Sequence, residues 1–244
     1  MPQDRTFHHD LVSVITVTRN AASNLEKTLK SVEAQQYEAI EQVVVDGLST
    51  DDTVDIIHKH EKTIARWVSE PDRGIYDAMN KGVSMARGEW VLFMNAGDTF
   101  ASDDVLQRIF SHRWNAEGVL YGDVVKDGYI KKAPGEYHLY HRMLFCHQSS
   151  LTRRSLLIAS PFDISHRLSA DFKFFMEQYQ RGVKFAYVGM PVANFDTTGV
   201  SNTRRSLGLR DNMRVVRELV PFPLRLKFTL RLMVPYIMCK IRGK

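Results

Sequence analysis

Two acidic turns about fifty residues apart place the strongest constraint on this chain. The first, VVVDGLSTDDT, covers residues 43–53, and the second, WVLFMNAGDTF, covers residues 90–100. Each begins with β-branched or aromatic residues that predict a buried strand, and each turns polar where the strand stops. In an open α/β sheet, ligands bind at the carboxyl ends of the strands. Both turns therefore indicate a ligand site at one edge of a sheet.

Apolar periodicity predicts strands and helices that alternate around these turns. Strands are predicted over residues 11–18, 41–45, 64–69 and 90–94, and helices over 21–36, from 51 or 52 to 60, and over 75–87. Such alternation predicts a parallel sheet. In the third helix, Ile75, Met79 and Val83 are expected on the apolar face.

Beyond Asp98 the pattern is weaker. It predicts helices over 103–112 and 170–181, a hairpin of strands 119–125 and 128–132, and a strand over 185–188, and it leaves 139–150 unassigned.

Length and composition exclude several protein classes. With 244 residues, 44% of them hydrophobic, the chain can bury one substantial core, which excludes a disordered or fibrous protein. The two cysteines, Cys146 and Cys239, lack the spacing of a disulfide framework or a zinc site, which suits a reducing cytoplasm. There is no signal-peptide core and no run of about 18 uncharged apolar residues. We therefore expect a protein that neither crosses a membrane nor is exported by that route.

The net charge of +5 is unevenly distributed. Eleven of the 33 Lys and Arg residues lie at or beyond position 204, against two acidic residues, so this segment carries +9 and residues 1–203 carry −4. Such asymmetry indicates an anionic partner, either phospholipid or nucleic acid. Residues 224–244 are apolar but punctuated by Arg225, Lys227 and Arg231, which suits a segment lying on anionic lipid. The alternative is a helix that packs on the rest of the chain or on a second subunit.

Seven segments carry a resemblance to a known family, and two of them are TVTRN (16–20), which contains Val17 and Arg19, and FDTTGVSN (195–202). Together with both acidic turns, SEPDRGIYDAMNKGVSMARGEW (69–90), CHQSS (146–150) and RLSADFKFF (167–175), they resemble the family 2 glycosyltransferases, in particular bacterial enzymes of colanic-acid and O-antigen type surface-polysaccharide synthesis. The resemblance implies an α/β fold of the GT-A type, a Rossmann-like, mostly parallel sheet flanked by helices. We expect a catalytic domain over 1–203, with a nucleotide-sugar half at about 11–110 and an acceptor half at 111–203, and a basic helical tail over 204–244.

Glycosyl transfer needs a nucleotide pocket, a counter-charge for the leaving diphosphate and a base for the acceptor hydroxyl. The residues that the resemblance places at the donor are Val17, Arg19, Asp46, Asp72, Asn80, Lys81 and Asn95. Three of these positions have a plainer alternative. The Arg19 side chain can simply be solvated instead of stacking on the nucleotide base. Asp46 can form a turn with Ser49, and Lys81 can form an ion pair with Asp77 on the same helix.

Asp98 occupies the place of the family's Asp-x-Asp metal motif, with Asn95 where the first aspartate often stands. Mg²⁺ or Mn²⁺ prefers carboxylate and phosphate oxygens, so one protein carboxylate and the donor diphosphate can suffice. The resemblance therefore implies Mg²⁺ or Mn²⁺ as cofactor, with Asp98 as its ligand. The alternative is a plain turn.

Asp171 is the candidate general base, in an acidic motif that opens the helix on the acceptor side. A carboxylate there can take the acceptor proton while the nucleotide leaves from the opposite face, which inverts the anomeric configuration. Alternatively, Asp171 only complements the helix dipole. His147 and Gln148 are expected in the acceptor or leaving-group pocket, and Arg204 or Arg205 could bind the diphosphate.

The expected partners are a UDP- or GDP-sugar donor, a saccharide acceptor linked to polyprenyl diphosphate, and the anionic inner face of the cytoplasmic membrane. Two other functions remain open. A nucleic-acid-binding protein could use the basic tail, but no DNA or RNA motif is visible. A sugar nucleotidyltransferase would need a glycine-rich first loop, which residues 19–24 lack.

Overall fold

The computed structural model describes residues 10–197 and 205–241. Within these ranges the strands are β1 (Val12–Thr18), β2 (Ile40–Asp46), β3 (Ile64–Ser69), β4 (Trp90–Phe93), β5 (Thr99–Phe100), β6 (Glu117–Lys126), β7 (Tyr129–Lys131), β8 (Ser150–Arg153) and β9 (Lys184–Phe195). The helices are α1 (Ala22–Glu33), α2 (Thr53–Lys59), α3 (Ile75–Met85), α4 (Val105–Ile109), α5 (Arg154–Ala159), α6 (Ala170–Gln180), α7 (Arg205–Leu219) and α8 (Leu224–Ile241).

One sheet runs through the described residues in the order β3-β2-β1-β4-β8-β6-β9-β5, with β7 paired to β6. The β3-β2-β1-β4 portion is parallel, as predicted, because helical crossovers α1, α2 and α3 return the chain to the same end of the sheet each time. The β8 strand then runs antiparallel to both β4 and β6, while β6 and β9 are parallel. The carboxyl ends of the first four strands consequently share one edge.

Both faces of the sheet are covered. In β1, Ile15 and Val17 belong to the cluster that contains Met79 and Val83 of α3. Val12 and Val14 belong to a second cluster, on the opposite face. All seven residues of β1 are buried, which is the pattern of a strand covered by helices on both sides.

The apolar face of α3 differs from the prediction at one position. Ile75 is 43% exposed, whereas Tyr76, Met79 and Val83 are buried. Tyr76 packs on Phe162, with ring centroids 5.5 Å apart. The aromatic side chain thus takes the inward position that spacing alone assigned to its neighbour.

Two strands of the second half differ from the sequence expectation. The β8 strand, only four residues long, was not predicted, and β9 spans twelve residues where four were expected. Both depend on pairing with β6, a partner distant in the sequence that local periodicity does not reveal.

The last two helices pack on α6. Phe172 and Met176 of α6 share a cluster with Val215 and Val216 of α7 and with Phe228 of α8. No helix in the ranges 10–197 and 205–241 is long and apolar enough to span a membrane.

Candidate active site

The loops after β1 and β2 are joined by hydrogen bonds at the sheet edge. Asn20 adopts a left-handed backbone conformation, with φ of 49°. Its backbone N–H donates to Ser49 Oγ over 2.8 Å, and its side-chain Oδ1 accepts from the Thr50 N–H over 2.8 Å. Asparagine tolerates this conformation because its side chain can bond locally. The two loops therefore form one wall.

Asp46 lies at the end of β2 and is fully buried. Its Oδ2 accepts hydrogen bonds from the Ser49 N–H at 2.9 Å and from Ser69 Oγ at 2.6 Å, and its Oδ1 accepts from Ser49 Oγ. These bonds match the turn-forming alternative and join β2 to β3. Contact between Asp46 and a nucleoside stays a prediction.

Arg19 and Asp72 meet over Gly47, the residue that follows Asp46. A Cβ atom at position 47 would lie 2.3 Å from Asp72 Oδ2 and 3.3 Å from Arg19 Cδ, so glycine provides the space that both side chains occupy. Asp72 is held by the Gly74 N–H, which donates to its Oδ1 over 2.8 Å. The carboxylate of Asp72 and the aliphatic stem of Arg19 thus both lie against Gly47, at the carboxyl end of β2.

Val17 contributes mainly its backbone. Its side chain is 6% exposed and belongs to the core, while its carbonyl accepts a hydrogen bond from the Ala96 N–H at 3.3 Å. This bond ties the turn after β4 to β1.

Three polar residues of α3 that share one face each bind a different neighbour. Asp77 accepts hydrogen bonds from the backbone and guanidinium of Arg73, which hold the pKa of this carboxyl below its usual range. Asn80 exchanges two hydrogen bonds of 2.9 Å with the backbone of Phe162. Lys81 pairs with Glu70 at 2.8 Å rather than with Asp77, and it donates to the Pro71 carbonyl over 2.6 Å.

Asp171, in the first turn of α6, lies at the centre of a hydrogen-bonded chain. Its Oδ1 accepts from Tyr76 Oη and from the Phe172 N–H, each at 2.8 Å. Its Oδ2 lies 2.8 Å from His147 Nδ1. Burial raises the pKa of Asp171, but the hydrogen bonds from His147, Tyr76 and Phe172 outweigh it, and the pKa is lowered. Asp171 is therefore a carboxylate near neutral pH.

Tyr76 remains a hydrogen-bond donor to this carboxylate. Burial and the nearby charge of Asp171 raise the pKa of its phenol well above the ordinary value. The sequence prediction did not include Tyr76, because an aromatic residue in a helix usually signals core packing. Its partner Asp171 is 95 residues away in the sequence.

The second ring nitrogen of His147 faces the turn after β4. If Nδ1–H donates to Asp171, the Nε2 lone pair is directed to Asn95 Nδ2, 3.4 Å away. Asn95 Oδ1 is buried and has no hydrogen-bond partner within the described part of the chain. Asn95 Oδ1 therefore remains able to accept a hydrogen bond from a ligand.

Asp98 is 3% exposed and accepts a hydrogen bond at Oδ1 from the Asp196 N–H at 2.8 Å. Burial raises its pKa to about 6, and the charge of Asp196 adds to the effect, although His147 and a hydrogen bond from Gln148 oppose it. The Asp98 carboxylate, a hard oxygen donor, is thus buried at this turn and feels the negative charge of Asp196.

Gln148 joins Asp98 to Cys146, whose thiol donates to Gln148 Oε1 over 2.8 Å. Burial raises the pKa of the Cys146 thiol to about 12. The thiol is therefore a structural donor and not a nucleophile.

An open cavity of about 440 Å³ adjoins the Asp98 turn. Its walls come from the turn after β4, the β6–β7 hairpin and the end of β9, and include Lys27, Thr99, Asp127, Asn194 and Asp196. The lining is polar and offers several groups that could bind sugar hydroxyls.

The remaining site predictions concern arginines. Arg205 is exposed at the start of α7. Arg204 lies outside the described residues, and its role at the diphosphate stays a prediction.

Comparison with known proteins agrees with this geometry. Residues 13–179 match the family model described as glycosyl transferase family 2. A "PGL/p-HBAD biosynthesis glycosyltransferase" of Mycobacterium bovis is 33% identical over 205 residues, which cover 79% of this chain and 80% of the relative. A "putative teichuronic acid biosynthesis glycosyltransferase" of Bacillus subtilis is 35% identical over 102 residues, 41% of this chain and 40% of that protein.

Among solved structures, the mannosyltransferase PcManGT of Pyrobaculum calidifontis, in complex with GDP-Man and Mn²⁺, superposes with a TM-score of 0.69. The match covers 91% of this chain and 68% of that one at 18% identity, so it concerns the fold. The GT-A fold that the sequence resemblance implied is confirmed.

Proposed function

The chain belongs to glycosyl transferase family 2 and is a glycosyltransferase, and from this premise we propose a specific reaction. It moves a sugar from a UDP- or GDP-sugar to a saccharide acceptor during surface-polysaccharide or glycolipid synthesis, with inversion of the anomeric carbon. The observation that carries the proposal is the chain Tyr76–Asp171–His147, which ends beside Asn95 at the carboxyl edge of the sheet.

In the proposed step, Asp171 is the general base. Its Oδ1 accepts from two donors, whereas among the described residues Oδ2 accepts from His147 alone, and its second lone pair would take the acceptor proton. The acceptor oxygen loses that proton to Oδ2 and forms a bond to the anomeric carbon. The bond from that carbon to the diphosphate breaks on the opposite face, and the nucleotide leaves with the electron pair.

The donor site is proposed at the edge formed by β1, β2 and β4. Arg19 and Asp72 lie together over Gly47, where a nucleoside can meet both. Asn95 and Asp46 complete the donor side. Lys81 acts through the segment that it braces, since it binds Glu70 and Pro71 just before Asp72. Asn80 stays a predicted donor residue, although both ends of its amide are bonded to the backbone of Phe162.

Mg²⁺ or Mn²⁺ is the proposed cofactor, with Asp98 as its protein ligand. In the described ranges, no group of three or more His, Cys, Asp or Glu side chains could hold a metal ion by itself. The residues fit a cation that arrives with the donor diphosphate, because Asp98 supplies a buried carboxylate beside the negative charge of Asp196, and carboxylate oxygens are ligands that Mg²⁺ and Mn²⁺ prefer. When bound, the cation would neutralise charge on the leaving diphosphate.

We propose that the acceptor is a saccharide linked to a polyprenyl diphosphate and that the enzyme works as a peripheral protein on the inner face of the cytoplasmic membrane. The basic charge of residues 204–244 supports this location, because a lipid-linked substrate is presented at an anionic surface.

A thermal-shift panel tests the donor site. UDP, GDP, CMP, TDP and their common sugars are added with and without Mn²⁺ to the wild type and to Asp98→Ala. We expect one nucleotide to raise the melting temperature, by RT ln(1 + [L]/Kd) in free energy, and part of the rise to require Mn²⁺. That part should vanish in Asp98→Ala. No shift with any nucleotide in any condition would contradict the donor site.

A further inference from the structure

Helix α8 carries apolar residues on two opposite faces. One face is covered, because Phe228 and Leu232 pack in the cluster shared with α6 and α7, and Cys239 is buried as well. The other face is open. Its apolar side chains are between 42% and 80% exposed, and they are Leu226, Leu230, Met233, Val234, Ile237, Met238 and Ile241.

These seven residues, the α8 stripe, follow one another at steps of four, three and one, which keeps them on a single side of the helix. The stripe runs along nearly the whole length of α8, which covers residues 224–241. Phe222, 70% exposed, extends it at the amino-terminal end. Scattered exposed apolar residues are ordinary, but a continuous apolar stripe marks an interaction surface.

Charge on α8 has one sign. The helix contains Arg225, Lys227, Arg231 and Lys240, all exposed, and no aspartate or glutamate. On a helical projection Arg225, Arg231 and Lys240 fall on the two flanks between the covered face and the stripe, and Lys227 lies near one edge of the stripe, between Val234 and Met238. An apolar stripe between basic flanks fits a surface that is hydrophobic inside and anionic outside.

We propose that α8 lies flat on an anionic phospholipid bilayer, with its stripe among the acyl chains and its basic residues at the headgroups. The charge argues against a second copy of the chain as the occupant, because pairing two stripes would bring basic flanks together. It argues against nucleic acid as well, because phosphates would neutralise the flanks and leave the stripe in water.

The position of α8 places the proposed lipid contact close to the candidate active site. Phe172, next to Asp171, lies in the cluster that α8 covers. A bilayer that holds α8 is therefore separated from the helix that carries the proposed base by a single apolar cluster. The lipid contact deepens the proposed membrane location and does not depend on the proposed transfer reaction; only its value for a lipid-linked acceptor rests on that reaction.

Vesicle co-sedimentation of the full chain, with no donor or acceptor present, tests the contact. The vesicles contain phosphatidylglycerol and phosphatidylcholine in equal parts, or phosphatidylcholine alone. We expect binding to the anionic vesicles that weakens as salt rises. Ile237→Glu places a charge in the stripe and should weaken binding at least tenfold. Ile158→Glu is the matched control, since both isoleucines are 48% exposed on helices, and it should bind as the wild type does.

A second pair of variants tests the charge. Arg225→Gln, Lys227→Gln and Arg231→Gln together should weaken binding on the order of a hundredfold, since each basic residue near the surface contributes roughly a fivefold factor. The control removes three exposed basic residues elsewhere, through Lys62→Gln, Arg113→Gln and Lys132→Gln. Equal losses in the two triple variants would show a non-specific charge effect and overturn the proposal.

Analytical ultracentrifugation tests the remaining possibility, that the stripe binds a second copy of the chain. A wild-type dimer that Ile237→Glu dissociates, without vesicle binding by either protein, would assign the stripe to a second copy and overturn the proposal. Unchanged binding by Ile237→Glu would overturn it too. Nucleotide-dependent thermal shifts, measured on the same variants, report separately on the proposed function, so either result can fail without the other.

Discussion

Two histidine–carboxylate clusters in this molecule use the same chemistry for different ends. In the site, His147 Nδ1 lies 2.8 Å from Asp171. Beneath α7, His166 Nδ1 lies 3.1 Å from Asp211 and its Nε2 lies 3.0 Å from Glu218. His166 is fully buried, whereas 16% of the His147 side chain is exposed.

The two clusters differ in the group that faces the second ring nitrogen of each histidine. A carboxylate only accepts hydrogen bonds, and both ring nitrogens of His166 face carboxylates of α7, so the ring is a fixed brace between the 160–169 loop and α7. At His147 the second neighbour is the Asn95 amide, which leaves room for a lone pair and for a ligand. A histidine–carboxylate pair therefore indicates proton transfer only when its other nitrogen is not already claimed by an acid.

The largest expected effect is that of Asp171→Asn. Removing the proposed base should lower the turnover number by about 10² to 10⁴, and the affinity for the nucleotide should stay nearly constant. Initial rates of sugar transfer and nucleotide-dependent thermal shifts measure the two quantities.

The matched control for Asp171→Asn is Asp163→Asn, an identical change beside the His166 cluster, where Asp163 pairs with Lys173 at 2.7 Å. This control should transfer sugar at close to the wild-type rate. If Asp171→Asn retained wild-type turnover, Asp171 would not be the base.

The next effect falls on stability rather than on activity. His166→Asn keeps at most one of the two hydrogen bonds and leaves part of a buried polar cluster unpaired, so we expect a loss of about 2 kcal/mol in the free energy of unfolding. Urea denaturation measures this loss. A variant as stable as the wild type would show that the brace contributes little and that the contrast between the clusters is wrong.

Sequence reasoning reached the first half of the fold because the signals there are local. The strands at 12–18, 40–46, 64–69 and 90–93 lie within about a residue of their predicted bounds, since each is a buried run between turn residues. Residues 150–153 give no such signal, because four residues become a strand only through the pairing partners that β4 and β6 supply.

For the site, sequence identified the acidic positions but not their partners. Asp171, His147 and Asn95 were all singled out, yet the chain that links them to Tyr76 joins residues 24 to 95 positions apart in the sequence. Asn80 illustrates the opposite case. Its position in a family-like motif suggested the donor, while its hydrogen bonds to Phe162 are visible only in three dimensions.

His147→Asn sharpens the comparison inside the site. The Nδ2 group of an asparagine can take the place of His147 Nδ1 and still donate to Asp171. Asparagine has no atom at the position of Nε2. If Asp171 is the base, turnover should fall by about tenfold or less, with KM for the donor unchanged. A loss as large as that of Asp171→Asn would instead make His147 Nε2 the proton acceptor. His166→Asn, assayed at a temperature where it is folded, serves as the control for the same substitution and should retain transfer.

The smallest expected effect is a pH dependence of the brace. Burial raises the pKa of Glu218, but the hydrogen bonds from Lys173 and His166 outweigh it, so the pKa is lowered, and the pKa of Asp163 is lowered by Lys173 and Ser165 against the same opposing effect. A carboxyl whose pKa is lower in the folded state adds stability above its unfolded pKa of about 4, and this stability is lost as pH falls below that value. Melting temperatures measured from neutral pH to pH 3 should therefore fall less steeply for Glu218→Gln than for the wild type. Parallel curves for the two proteins would mean that Glu218 is not stabilised as a carboxylate in the folded protein. The His166 cluster would then lack the second charged partner that distinguishes it from the His147–Asp171 pair.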